Sequence, residues 1–251
     1  MSSAPSVVVH PDKQSLADAA AARLVTALVD AQAARGEAHV ALTGGSMGSA
    51  IIASLCEVPG RSAVDWSRVN VWWGDERYLP AGDADRNDTQ NDAAGLASLG
   101  LDATRIHRVA GPDTSDSAED SAEAYAAELR EHGAAAFDVV LLGVGPDGHV
   151  ASLFPHHPAQ RTTGTPAVAV HDSPKPPPDR VSLTFECLDR ALEVWFLVAG
   201  ADKAVAVGAA LASGADRWDV PAAGPRGSIA TRWLIDADAA TAVTGTEPRH
   251  D

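Results

Sequence analysis

Short apolar runs alternate along this chain with longer stretches whose apolar positions recur at helical spacing. The short runs read as strands: Val7 to Val9, His39 to Leu42, Val69 to Trp73, Ile106 to Val109, Phe137 to Leu142, Val181 to Phe185, Val194 to Val198 and Ala230 to Ile235. The Phe137 to Leu142 run is almost unbroken in its apolar character, as strands covered on both faces are. The longer stretches read as helices: Asp12 to Arg35, with apolar Leu16, Leu24 and Leu28 and a stop at Gly36; Ser46 to Leu55; Thr89 to Leu99; Glu119 to Glu131, ending at Gly133; Lys203 to Leu211; and a short closing helix over Ala237 to Val243.

Strand and helix in alternation predict an α/β fold: a Rossmann-like, mainly parallel sheet with helices on both faces. A chain of 251 residues fits one compact domain over 1–251, with room for a small α/β subdomain and a frayed tail at 245–251. Ala81 to Asp88 is polar and reads as a loop. Asp172 to Asp179 holds Pro174, Pro176, Pro177 and Pro178, which bars it from helix interiors and central strands. Its flanks read as one continuing sheet, so it is expected to be a surface loop.

Composition narrows the function. The net charge of −15 argues against nucleic acid and against a polybasic membrane anchor. An anionic substrate would have to be held by isolated cations beside phosphate-binding loops. Cys56 and Cys187 lie far apart and outside any C-x-x-C pair, so neither a disulfide framework nor a zinc framework is indicated. No basic segment followed by an apolar core opens the chain, and no apolar run is long enough to span a bilayer. The expectation is a cytoplasmic protein, and a monomer.

Four segments carry candidate chemistry, and each follows a strand. Thr43-Gly44-Gly45-Ser46 stands before a helix: either a phosphate cradle of backbone N–H groups or a tight turn with Ser46 as N-cap. Trp72-Trp73-Gly74-Asp75-Glu76-Arg77 puts Asp75 and Arg77 on one side of an extended chain, for ligand binding or as a solvated turn. Leu142-Gly143-Val144-Gly145-Pro146-Asp147-Gly148-His149 is a glycine loop ending on a histidine. Gly143, Gly145 and Gly148 spell G-x-G-x-x-G, but Pro155 and Pro158 leave little room for the helix a dinucleotide site needs, and Pro146 removes a donor. His149 then reads as a general base at the mouth of the sheet. In Gly200-Ala201-Asp202-Lys203, the lysine sits in the first helical turn, where the dipole disfavours a cation unless an anion is shared.

These segments resemble the 6-phosphogluconolactonases, relatives of the glucosamine-6-phosphate isomerases and deaminases. Gly143 through His149 and on to Ser152-Leu153-Phe154-Pro155 looks very like the signature around the family's catalytic histidine. Trp73-Gly74-Asp75-Glu76-Arg77 with Pro80 is a second match; Asn87, Arg180-Val181-Ser182-Leu183-Thr184 and Gly200 to Lys203 agree in order. The resemblance implies hydrolysis of a sugar-phosphate lactone without metal or organic cofactor. It makes His149 the base, with Asp147 or Asp75 orienting it or the sugar hydroxyls. It gives the phosphate to Arg77 and Lys203 with Gly44, Gly45 and Ser46, and adds Asn87 and Arg180 as binding residues. N–H groups of the Gly143, Gly145 and Gly148 loop are candidates for an oxyanion. Met47-Gly48 and Arg86 depart from the family pattern. A deaminase or isomerase of the same superfamily, a non-catalytic sugar-phosphate sensor and a nicotinamide oxidoreductase are the rival readings.

Overall fold

The computed structural model describes residues 4–132 and 136–243. The predicted tail 245–251 and the Gly133 helix stop lie outside them. Six parallel strands form the main sheet: β1 (Ser6–His10), β2 (Ala38–Leu42), β3 (Val69–Trp73), β5 (Val139–Leu142), β8 (Glu193–Val198) and β9 (Ala230–Asp236). Their order across the sheet is β1-β9-β8-β5-β2-β3. A second, antiparallel sheet of three strands is ordered β4 (Asp75–Arg77), β7 (Arg180–Leu183), β6 (Ala167–Val170).

Alternation along each main strand sends neighbours to opposite faces. Val139 and Leu141 join a core with Val40, Leu42, Trp195 and Leu197, under helices α1 (Lys13–Arg35) and α2 (Gly45–Glu57). Val140 and Leu142 join the other core with Ala41, Phe196 and Trp233, which packs on α4 (Ala118–Glu131), α6 (Ala204–Leu211) and the small sheet. Helix starts are set by side-chain caps: Asp12 accepts from Ser15 N at 2.8 Å ahead of α1, and Ser117 from Asp120 N at 3.1 Å ahead of α4.

Several expectations are corrected. Thr89 to Leu99 is not one helix: α3 (Asn87–Ala93) gives way at Gly95 to a short 3-10 turn over Leu96–Leu99. Ile106 to Val109 makes a single bridge, Ile106 to Val71, because the chain leaves the sheet edge at once. The strand expected at Val181 to Phe185 belongs to the small sheet and stops at Leu183; Thr184 caps α5 (Phe185–Leu188). Lys203 closes a 3-10 turn and α6 starts one residue later. The closing helix is a 3-10 turn, Ala239–Ala242.

Candidate active site

The strand order explains why the four segments meet. After β2 the chain goes to one side to make β3, and β5 is laid on the other side. The carboxyl ends of β8, β5, β2 and β3 are therefore neighbours, and a crevice opens where the order reverses. Gly74 N donates to Leu42 O at 2.9 Å, and Gly143 N to Thr43 Oγ1 at 3.4 Å, joining the loops at this rim. The resulting cavity of about 340 Å³ is lined by the segments 43–47, 143–146 and 197–199 together with Asp75, Arg77, Asn87, His149, Lys175, Arg180 and Lys203.

Two glycines allow close approach. A Cβ on Gly44 would lie 1.8 Å from Asn87 Oδ1, and one on Gly145 would lie 2.0 Å from His149 Nδ1. The glycine loop thus lets His149 fold back over its own backbone. Gly145 N donates to His149 O at 3.0 Å, and Gly148 N to Gly145 O at 2.9 Å, so these two amides shape the loop. No helix follows Gly148: residues 150–157 make turns, which removes the geometry a dinucleotide fingerprint requires.

His149 Nδ1 lies 2.5 Å from Asp147 Oδ1. A carboxylate there selects the tautomer with the proton on Nδ1 and leaves the Nε2 lone pair free. Lys175 Nζ stands 3.4 Å from the same ring nitrogen and 3.6 Å from Asp147. Burial acts to raise the Asp147 pKa, but the His149 hydrogen bond and the charges of His149 and Lys175 outweigh it and hold the carboxyl well below its ordinary range. Burial lowers the Lys175 pKa, with Lys203 and Arg180 adding repulsion against the pull of Asp147.

Asp75 is the hub of a second group. Its Oδ2 accepts from Ser152 Oγ at 2.6 Å and lies 3.9 Å from Arg180 Nη1; its Oδ1 and carbonyl accept from Asn87 Nδ2 at 3.2 and 2.8 Å. Asn87 Oδ1 is buried without a hydrogen-bond partner among the described residues, as is Arg77 Nε. Buried polar atoms are nearly always paired, so both mark places for a ligand's polar groups. Glu76, on the opposite side of β4, takes the N–H groups of Arg77, Asn87 and Asp88 and fixes the loop.

At the other end, α2 begins at Gly45 with Gly44 as its N-cap and no side-chain cap bond, so Ser46 is inside the helix rather than its cap. Gln90 accepts from Gly45 N at 3.1 Å. The next N–H groups, of Ser46 and Met47, meet no acceptor among the described residues. Arg77, bonded to the Asp85 carbonyl, and Lys203, 2.5 Å from Asp202, complete this anion-binding end. Of the site residues singled out in the sequence, Gly44, Gly45, Ser46, Asp75, Arg77, Asn87, Gly143, Gly145, His149, Arg180 and Lys203 line the cavity; Asp147 touches it through His149, and Gly148 lies outside the lining, beside Val220.

Two participants were missed. Ser152 holds Asp75, and Lys175 comes from the proline-rich segment read as a surface loop. That segment joins β6 to β7 and is drawn over the cavity because Arg180, 3 % exposed, donates to the carbonyls of Lys175, Pro176 and Pro177 at 3.0 to 3.2 Å. The available signal was Lys175 itself, the lone cation among four prolines.

Residues 11–233 match the family described as glucosamine-6-phosphate isomerases/6-phosphogluconolactonase. The chain is 54 % identical to the 6-phosphogluconolactonase of Streptomyces coelicolor, over 96 % of this chain and 95 % of that one. It is 44 % identical to the 6-phosphogluconolactonase of Mycobacterium tuberculosis, over 94 % and 97 %. Among solved structures, the 6-phosphogluconolactonase of Trypanosoma brucei superposes with a TM-score of 0.81 at 27 % identity, covering 94 % of this chain and 97 % of that one. With this fold, this cavity and these relatives, the chain belongs to the glucosamine-6-phosphate isomerase/6-phosphogluconolactonase family.

Proposed function

We propose that this chain hydrolyses 6-phospho-D-glucono-1,5-lactone to 6-phospho-D-gluconate, a step of the oxidative pentose phosphate pathway, with His149 as general base. The observation that carries the reading is the 2.5 Å contact of His149 Nδ1 with Asp147, beside a cavity also lined by Arg77, Lys203 and the start of α2. Relatives at 54 % and 44 % identity bearing the lactonase name support the substrate.

Nε2 of His149 takes a proton from water as the water oxygen attacks the lactone carbonyl carbon. The carbonyl electron pair moves onto its oxygen, and Lys175, the cation nearest the ring, offsets that charge. Collapse of the tetrahedral intermediate breaks the bond to the ring oxygen, which takes the proton back from Nε2. Asp147 holds the ring throughout. Arg77, Lys203 and the N–H groups of Ser46 and Met47 hold the phosphate. Asp75 and the free Asn87 Oδ1 orient sugar hydroxyls, and Arg180 acts by placing Asp75 and Lys175. Action as a monomer in the cytoplasm is part of the proposal.

The test follows fresh lactone against its spontaneous hydrolysis. Wild type accelerates it; His149→Ala loses about 10²- to 10⁴-fold in kcat with KM little changed. No acceleration by wild type overturns the reading, and ammonia release from glucosamine 6-phosphate then distinguishes the deaminase alternative from a non-catalytic binder.

A further inference from the structure

The opposite, amino-terminal rim of the main sheet carries a second cluster that the lactonase reading does not use. His107 follows Ile106, the residue bridged to β3, and its N donates to Val71 O at 2.9 Å. Its ring is 2 % exposed and lies flat on Trp72, centroids 3.7 Å apart at 8°. Nδ1 faces Glu128 Oε1 at 2.6 Å, and Nε2 faces Asn70 Oδ1 at 3.2 Å. The Asn70 amide cannot be turned round without loss, because its Nδ2 already faces Glu37 Oε2 at 3.3 Å and Ala38 O at 3.5 Å. An oxygen therefore opposes each ring nitrogen. Such a pairing is met either by a proton on each ring nitrogen or by a cation shared between Nδ1 and Glu128. One turn beyond Glu128, His132 brings its ring to 4.7 Å from that of His107. One ligand atom from each of His107, Glu128 and His132 falls within 4.8 Å of the others.

We propose that His107, Glu128 and His132 bind a divalent transition-metal ion of the zinc type at this rim, remote from the catalytic cavity. Two imidazoles and one carboxylate are a donor set such ions accept, with water free to complete the shell. Nε2–H on Asn70 is the outer hydrogen bond that fixes a ligating histidine's tautomer. Metal–ligand bonds of about 2.0–2.2 Å require the 2.6 Å contact of His107 and Glu128 to widen. Glu128, 37 % exposed, and His132, at the surface, are free to make that adjustment.

The full chain, stripped with a chelator, is titrated calorimetrically with Zn²⁺ near pH 7.5. One equivalent is expected to bind. His132→Ala and Glu128→Gln, both outside the core, should each weaken binding by about tenfold or more while lactone hydrolysis and circular dichroism stay as in wild type. His149→Ala should bind zinc as wild type does, which separates this site from the cavity. Absence of binding by wild type, a wild-type affinity in either rim variant, or loss of binding in His149→Ala overturns the proposal.

Discussion

Asp147 shows how one side chain sets the chemistry of another. Its carboxylate stays ionised through the neutral range because the His149 hydrogen bond and Lys175 outweigh its partial burial. An amide there would keep the shape and lose the charge. Asp147→Asn is expected to lower kcat by about 10²-fold or more with a small change in KM, since the ring loses the partner that fixes its tautomer; steady-state kinetics on the lactone checks this, and an unchanged kcat would remove Asp147 from the mechanism. Gly44 makes a different point. Its added methyl would meet Asn87, whose Nδ2 holds Asp75. Gly44→Ala should therefore raise KM and lower kcat together, by about tenfold each, because displacement of Asn87 disturbs both the phosphate loop and Asp75. Loss of phosphate affinity alone, with kcat intact, would mean that Asn87 yields without moving Asp75.

Among the elements, the proline-rich connection between β6 and β7 is held at both ends. Arg180 grips its carbonyls, and His171, at its start, bonds to Asp179 and to Glu119 of α4, each at 2.7 Å. The Asp179 and then the Glu119 hydrogen bonds raise the His171 pKa against a small opposing effect of burial. A raised histidine pKa gives stability that is fully present below the unfolded value of about 6.5 and is lost as pH rises through the folded value. His171 is 46 % exposed, and screening limits the effect to about 0.5 kcal/mol. Wild type should therefore lose about 1–2 °C in Tm between pH 6 and pH 8 relative to His171→Gln; parallel profiles for the two proteins would end the argument. This connection also marks the limit of what the sequence discloses. Its prolines exclude it from regular structure, but its path depends on Arg180 turning back onto the carbonyls of residues 175–177, a side-chain-to-backbone grip that neither hydrophobic periodicity nor proline content encodes. The main strands were legible because burial on both faces gives continuous apolar runs such as Val139–Leu142. The small sheet was not, because β4 has three residues and pairs antiparallel with a strand about a hundred positions away. Asp147 and His149 were legible as neighbours in one loop, whereas Ser152 became visible only when its bond to Asp75 across 77 residues was in place.

For the molecule as a whole, charge is distributed against its total. The chain carries −15, yet the cavity lining sets Arg77, Lys175, Arg180 and Lys203 against one carboxylate, Asp75, among the described residues, with Asp147 bonded to the lining His149. A phosphorylated lactone approaching from solution meets repulsion from the global field and attraction from the cavity. Distance decides which dominates. At physiological ionic strength the screening length is about 8 Å, so most of the acidic surface is already muted, while contacts made at hydrogen-bond distance within a cavity are screened much less. Added salt can then do little more to relieve the repulsion, but it competes directly for the cations through its anions. Raising KCl from about 0.1 to 0.5 M should increase KM several-fold and leave kcat nearly unchanged, because His149 and Asp147 act on the lactone end and not on the phosphate. Inorganic sulfate at equal ionic strength should raise KM further, since it fits the Ser46 and Met47 N–H groups and Arg77 as a phosphate does. A KM that falls with salt would mean that the −15 field governs access, and the four cations would then have to be read as structural partners of Asp75 and Asp147 rather than as the substrate's anchor.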